Sequence, residues 1–223
     1  SIEMKTMKYI IIIMGAFAQC TLLAQEVNFR GLDNTKHLIG IQSGVDYGSY
    51  YGVSYGYVWR NRLTPIVIGT EFTVPFGNNL VDDWKSRTSL QAELWHYNGF
   101  SVSARLSSTF RRYNSDLATM LNVGSDFTLN IGYVKPKWSV VALANFDKPI
   151  VTHIENKLLK EYYPDIKDGW YDESGGNYKF GVRGQISYKS WNTFVKVGKQ
   201  FGKNFEDNPT IPFFAEVMVQ RRL

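Results

Sequence analysis

One cysteine, Cys20, stands in 223 residues, which rules out an intramolecular disulfide. The three histidines, His37, His96 and His153, are too few and too scattered for a zinc-spaced His/Cys cluster. There is no nucleophile elbow and no glycine-rich phosphate loop. No basic run carries interleaved stacking aromatics, and the net charge is only +5, so nucleic acid is not an expected partner. No apolar stretch is long enough for a membrane-crossing helix. The longest, Tyr9 to Ala18, follows Lys5 and Lys8 and has the length of a secretory h-region.

That N-terminal pattern predicts a signal peptide over 1–24, with the residues before Met4 as upstream read-through. Ala16-Phe17-Ala18 and the Ala24–Gln25 junction are both cleavage candidates. Cys20 is read as removed or inert, because Gln19 occupies the position where a lipoprotein signal wants a small residue. Removing Glu3, Lys5 and Lys8 takes one positive charge with it, leaving the mature chain near +4.

What the chain has is alternation. In Asn177 to Tyr188, Tyr178, Phe180, Val182, Ile186 and Tyr188 share one face with Gly184, and Lys179, Gly181, Arg183, Gln185 and Ser187 share the other. Between Leu121 and Tyr133 the same period returns, broken on the apolar side only by Ser125. After a lead-in over 25–37, ten strand-like segments follow, at 38–46, 51–60, 64–76, 87–97, 100–112, 119–134, 138–148, 177–188, 191–202 and 211–222. With 44% hydrophobic and 15% aromatic residues and a mean hydropathy of -0.24, the composition suits a barrel in which alternate residues meet lipid.

Tight turns are expected at Asn61 to Leu63, Asn98-Gly99, Lys135 to Lys137 and Lys189-Ser190. Longer links are expected at Gly77 to Lys85, Asn114 to Ala118, Ile150 to Gly176 and Lys203 to Pro209, with Tyr47 to Tyr50 the one short exception. Short turns at one end and long loops at the other are the habit of outer-membrane barrels. The predicted fold is therefore all-β: an antiparallel up-and-down transmembrane barrel over 38–223, with both chain ends on the periplasmic side. Aromatics near strand ends, among them Trp59, Trp95, Tyr97, Tyr133, Trp138, Tyr188 and Trp191, fit interfacial girdles. Alternation alone also fits a secreted soluble barrel with its apolar wall turned inward around a ligand. The turn asymmetry and the even strand number favour lipid outside.

On these features the chain resembles the small outer-membrane β-barrel proteins found widely in Bacteroidota, with Ala24-Gln25-Glu26 after the signal and a barrel filling the mature chain. The resemblance implies lipid and lipopolysaccharide as surroundings, and delivery by the barrel assembly machinery. That machinery would read a terminal strand carrying Phe213, Ala215, Val217 and Val219, although Arg221 and Leu223 stand where aromatics are usual. No cofactor and no metal are expected.

The polar face projects Glu71, Glu93, Arg105, Asp126, Arg183, Lys196 and Glu216 toward the lumen, where isolated charges would be costly and cross-strand pairing is expected. Gly40, Gly44, Gly52, Gly56, Gly69, Gly124 and Gly181 thin the wall. These features predict a structural or interactive barrel, or porin-like passage of small solutes through a narrow charged lumen. The longest link is the candidate for recognition by a protein partner, through His153, Asp165, Asp168, Asp172 and Glu173. Ile154, Leu158 and Tyr162 at helical spacing predict a short amphipathic helix over 151–163. The acidic run 165–176 lacks the alternate-position ligands of a calcium loop. The alternative function is a hydrolase at the extracellular rim, resting on His153 with Asp147 and Glu155 near it in sequence.

Overall fold

The structure, a computed structural model, describes residues 27–76, 82–172, 175–203, 205 and 211–223. The expected signal peptide, Cys20, Ala24-Gln25-Glu26 and Glu173 lie outside the described residues. Eleven strands are present among the described residues: β1 (His37–Val45), β2 (Ser49–Trp59), β3 (Ile66–Pro75), β4 (Trp84–Tyr97), β5 (Phe100–Asn114), β6 (Ala118–Val134), β7 (Trp138–Asn156), β8 (Gly169–Asp172), β9 (Asn177–Tyr188), β10 (Trp191–Gly202) and β11 (Phe213–Arg222). Ten of them close a circuit. Neighbours from β1 to β7 pair in order, β7 pairs β9, β9 pairs β10, β10 pairs β11, and β11 returns to β1, every pairing antiparallel. Closure leaves no unpaired edge in the circuit. Short β8 stands outside it, paired to the far end of β7.

The pleat sorts the side chains as the alternation predicts. Ile41, Val53, Phe127, Ile131, Val140, Val182 and Val195 are exposed on the outer wall. Gln42, Ser54, Glu71, Gln91, Arg105, Asp126, Thr128 and Arg183 are buried within the closed sheet. Aromatics form two bands outside it. Near the short turns, Phe100 meets Tyr133 at 5.4 Å and Tyr133 meets Trp138 at 5.6 Å. Near the opposite end, Tyr51 meets Phe76 at 5.0 Å and Phe146 meets Tyr178 at 4.7 Å.

Local chemistry fixes the tight turns. Asn98 and Gly99 join β4 to β5 with φ of 51° and 88°, the left-handed pair that a two-residue hairpin requires. A Cβ on Gly99 would also come within 2.7 Å of the Tyr133 ring. Inside the barrel, Gly181 and Gly198 face each other across β9 and β10, and the buried Phe214 ring fills the space above them. A Cβ on Gly198 would lie 2.5 Å from that ring and 2.2 Å from the Phe180 carbonyl oxygen. Gly198→Val is therefore expected to destabilise the refolded barrel by about 1–3 kcal/mol, as overpacking does. Urea titration of the variant in lipid vesicles measures this, and a midpoint equal to the parent's would remove Phe214 from the account.

Two of the expectations give way. The predicted helix over 151–163 is mostly strand: β7 runs on to Asn156, its last residues paired with β6 on one side and β8 on the other, and only α1 (Leu159–Tyr162) is helical. Two ladders of backbone hydrogen bonds outweigh three apolar residues at helical spacing. The link after β5 is also shorter than expected, with 115–117 closed by Ser115 Oγ on the Ala118 carbonyl at 3.1 Å. The length goes into the wall instead. Strands β5, β6 and β7 reach 15, 17 and 19 residues, against 9 to 11 in β1 to β3, so one side of the barrel stands higher at the long-link end.

Bulges re-aim the alternation at two places. One between Glu93 and Trp95 turns Leu94 and Trp95 both outward. The other, at Val123/Gly124, sets Ile150 as an extra residue beside Pro149, which has no N–H to give a ladder. Beyond it the parity of β7 is reversed.

The lead-in does not hang free of the barrel. Val27, Phe29 and Leu32 form a buried cluster with Leu38, Val58 and Val67 of β1, β2 and β3, inside the short-turn mouth. Asn28 caps a 3-10 turn (Phe29–Gly31) by accepting from Arg30 N at 3.0 Å, and its amide donates to the Lys135 carbonyl at 2.8 Å. Arg30 pairs with Glu93, and Arg222 donates to the Gly31 carbonyl. The segment thus spans the mouth from β1 to the β6–β7 turn.

Candidate functional site: the barrel interior

Strand register places the inward side chains at successive heights. At mid-height Glu71 of β3 sits directly opposite Arg87 of β4, and the two are ion-paired. Arg87 Nε also lies 2.8 Å from Asp126 of β6. Asp126 further accepts from Ser107 Oγ at 3.1 Å and Asn145 Nδ2 at 3.3 Å, with Arg105 at 4.0 Å. Gln42 Nε2 donates to Glu71 at 3.2 Å. Arg87 is the hub of this cluster because it bridges Glu71 and Asp126, a geometry that its planar fork of donors permits.

Across the lumen, Lys196 Nζ is 3.0 Å from Glu216, which also accepts from the Tyr50 hydroxyl. Arg183 faces Lys196 in the β9–β10 register and lies 5.8 Å from the Phe194 ring centroid. Of the seven lumen candidates, then, Glu71, Arg105 and Asp126 share one cluster and Lys196 and Glu216 make a second. Glu93 lies apart at the short-turn end, with Arg30, Ser101 Oγ at 2.7 Å and His96 at 3.7 Å around it.

Above this belt a polar chamber of about 110 Å³ opens toward the long links. That is room for several water molecules, at about 10–15 Å³ each. Its bases are Lys85, Arg87, Arg105, Arg111, Lys179 and Lys196, and its acids Asp46, Glu71, Asp83 and Glu216. Lys179 reaches Asp46 at 2.6 Å and stacks its ammonium 4.5 Å from the Tyr47 ring. Arg111 pairs with Asp83 at 3.1 Å. Burial raises the pKa of Asp46, in the β1–β2 link, but the Lys179 and Lys85 charges more than offset this and hold the carboxyl well below the usual carboxylate range.

Sequence reasoning missed Lys85, Arg87, Arg111 and Lys179. The signal was present, because each lies in phase with the inward residues of its own strand: Lys85 and Arg87 with Glu93, Arg111 with Arg105, Lys179 with Arg183. Asp46, the last residue of the expected strand 38–46, is likewise in phase with Gln42 and Gly44, although β1 itself ends at Val45.

The rim candidates do not converge. The β7 bulge leaves Asp147 and Thr152 lining the interior, while His153 packs against Trp170 of β8 with ring centroids 5.0 Å apart. His153 and Asp147 therefore sit on opposite sides of the wall, whereas Glu155, two residues along β7, shares the face of His153. His153, placed in a loop by the sequence reading, is in strand. Asp165 is exposed, Asp172 closes β8, and Asp168 is held by Lys160 and by the Asn156 backbone N–H at 2.8 Å. Those two hydrogen bonds keep the Asp168 carboxyl below its ordinary range. Among the described residues, no three His, Cys, Asp or Glu side chains gather as metal ligands.

No protein-family model matches the chain, and no curated protein matches it. A solved structure of KdgM porin in complex with disordered oligogalacturonate is similar at 12% identity and a TM-score of 0.42, over 83% of this chain and 99% of that one.

Proposed function

We propose that this chain is an integral bacterial outer-membrane barrel that gives small polar solutes restricted access through a narrow, ion-paired interior. One observation carries the reading: the closed sheet exposes Ile41, Phe127, Ile131, Val182 and Val195 while burying Gln91, Arg105, Asp126 and Arg183. Water outside would make that arrangement unfavourable, and hydrocarbon outside makes it stable. The short turns then face the periplasm and the chamber opens outward. Acyl chains and lipopolysaccharide surround the wall, and the assembly machinery reads β11. The tall β5–β7 rim offers a protein partner its surface. The seven lumen charges hold the interior open and wet rather than performing chemistry.

Fractionation with heat-modifiable electrophoresis tests the location. Recovery in the outer-membrane fraction and a shift in migration on boiling are expected. A soluble protein that migrates identically boiled and unboiled would refute it. Planar-bilayer recording tests passage, with small and infrequent steps expected from the unaltered chain.

A further inference from the structure

We infer that Val27–Leu32 is a displaceable stopper, and that lifting it from the short-turn mouth completes a water-filled path through the barrel. This rests on the passage reading above. The chamber runs in from the long-link end and ends near Glu71, Arg105 and Thr128. The stopper fills the other end with Val27, Phe29 and Leu32. Only one belt of side chains separates them.

That belt is polar on one wall. Gln91 lies two residues along β4 from Glu93, which holds Arg30 of the stopper, and it faces Val67, which packs on the stopper's apolar cluster. Asn130 lies two residues along β6 from Thr128 on the chamber floor. Gln91 is 1% exposed and Asn130 2%, yet neither the nitrogen nor the oxygen of either amide has a hydrogen-bond partner among the described residues. Buried amides in that state require water. Phe194 and Met218, paired across β10 and β11, are buried apolar side chains of the interior and offer no hydrogen bond. A hydrated constriction therefore reaches down to the stopper, and the apolar cluster is what closes it.

The attachments suit a part that can leave. Among the described residues they are three apolar side chains, one ion pair, the Asn28 hydrogen bond to the Lys135 carbonyl, and hydrogen bonds from Arg222 and Arg60 to the Gly31 and Leu32 carbonyls, with no strand pairing to the wall by 27–32.

The experiment compares three refolded proteins in planar bilayers: the unaltered chain, a variant lacking 27–33, and Phe29→Ser with Leu32→Ser, which keeps the segment but removes its grip. Each sample is also checked for heat-modifiable migration. If the closed form holds all but ~1% of molecules, both variants should raise open probability about a hundredfold. Steady conduction by the unaltered chain, equal to that of the variants, would overturn the stopper and leave the passage reading intact. Silence from all three with normal heat-modifiability would overturn the passage reading and the stopper with it. Should the deletion fail to migrate as a folded barrel, the serine pair decides alone.

Discussion

Val182→Arg lowers the stability of the bilayer-inserted barrel by about 2–4 kcal/mol, the cost of an arginine facing lipid near the midplane. Val182 is half exposed on the outer wall, opposite Val197 of β10 and Ala142 of β7, so no polar neighbour waits there to receive a guanidinium. Its sequence neighbour Arg183 is 2% exposed and points the other way. One residue thus separates a tolerated arginine from a costly one. Reversible urea titration in vesicles measures the effect, with Val182→Leu as the nearly neutral control. An arginine variant within 0.5 kcal/mol of the parent, roughly the scatter of a surface substitution in water, would mean that this wall meets water.

Arg87→Met removes the hub and is expected to cost about 3–5 kcal/mol, because buried Glu71 loses its ion pair and Asp126 is left with Arg105 at 4.0 Å. Arg87, Glu71 and Asp126 side chains are 12%, 8% and 1% exposed, so solvent does little to screen them. Methionine keeps much of the volume, which isolates the charge from the packing. Adding Glu71→Gln should return part of the loss, with a coupling of about 1–3 kcal/mol between the two positions. Additive effects would show that Glu71 and Arg87 do not sense each other, and that the lumen charges stand separately in water.

How much of this could be read from the chain differs from element to element. The strand from Leu121 to Tyr133 was legible because every residue but Ser125 keeps the alternation, and the Asn98-Gly99 turn because both positions need a left-handed backbone. The far end of β7 was not. Pro149 suggests a break, and only the partner strand reveals that a bulge absorbs it and flips the parity beyond, separating His153 from Asp147. Ion-pair partners were illegible for a related reason. Alternation says that Glu71 and Arg87 point inward, but which neighbour each one meets depends on the stagger between strands, which no single strand encodes. The stopper was hidden by its length. Val27, Phe29 and Leu32 make no period, and their burial follows from the barrel's mouth being there to receive them.

The central claim is that lipid meets the apolar wall and water the polar interior. Nitroxide labels on single cysteines, in a Cys20→Ser background, test it most directly by collision with oxygen and with a water-soluble nickel chelate in bilayers. Labels replacing Val182 and Ile131 should collide with oxygen and escape the chelate, while one replacing Asn122 beside the chamber mouth should meet the chelate. Labels at 182 and 131 that collide freely with the chelate would contradict the account.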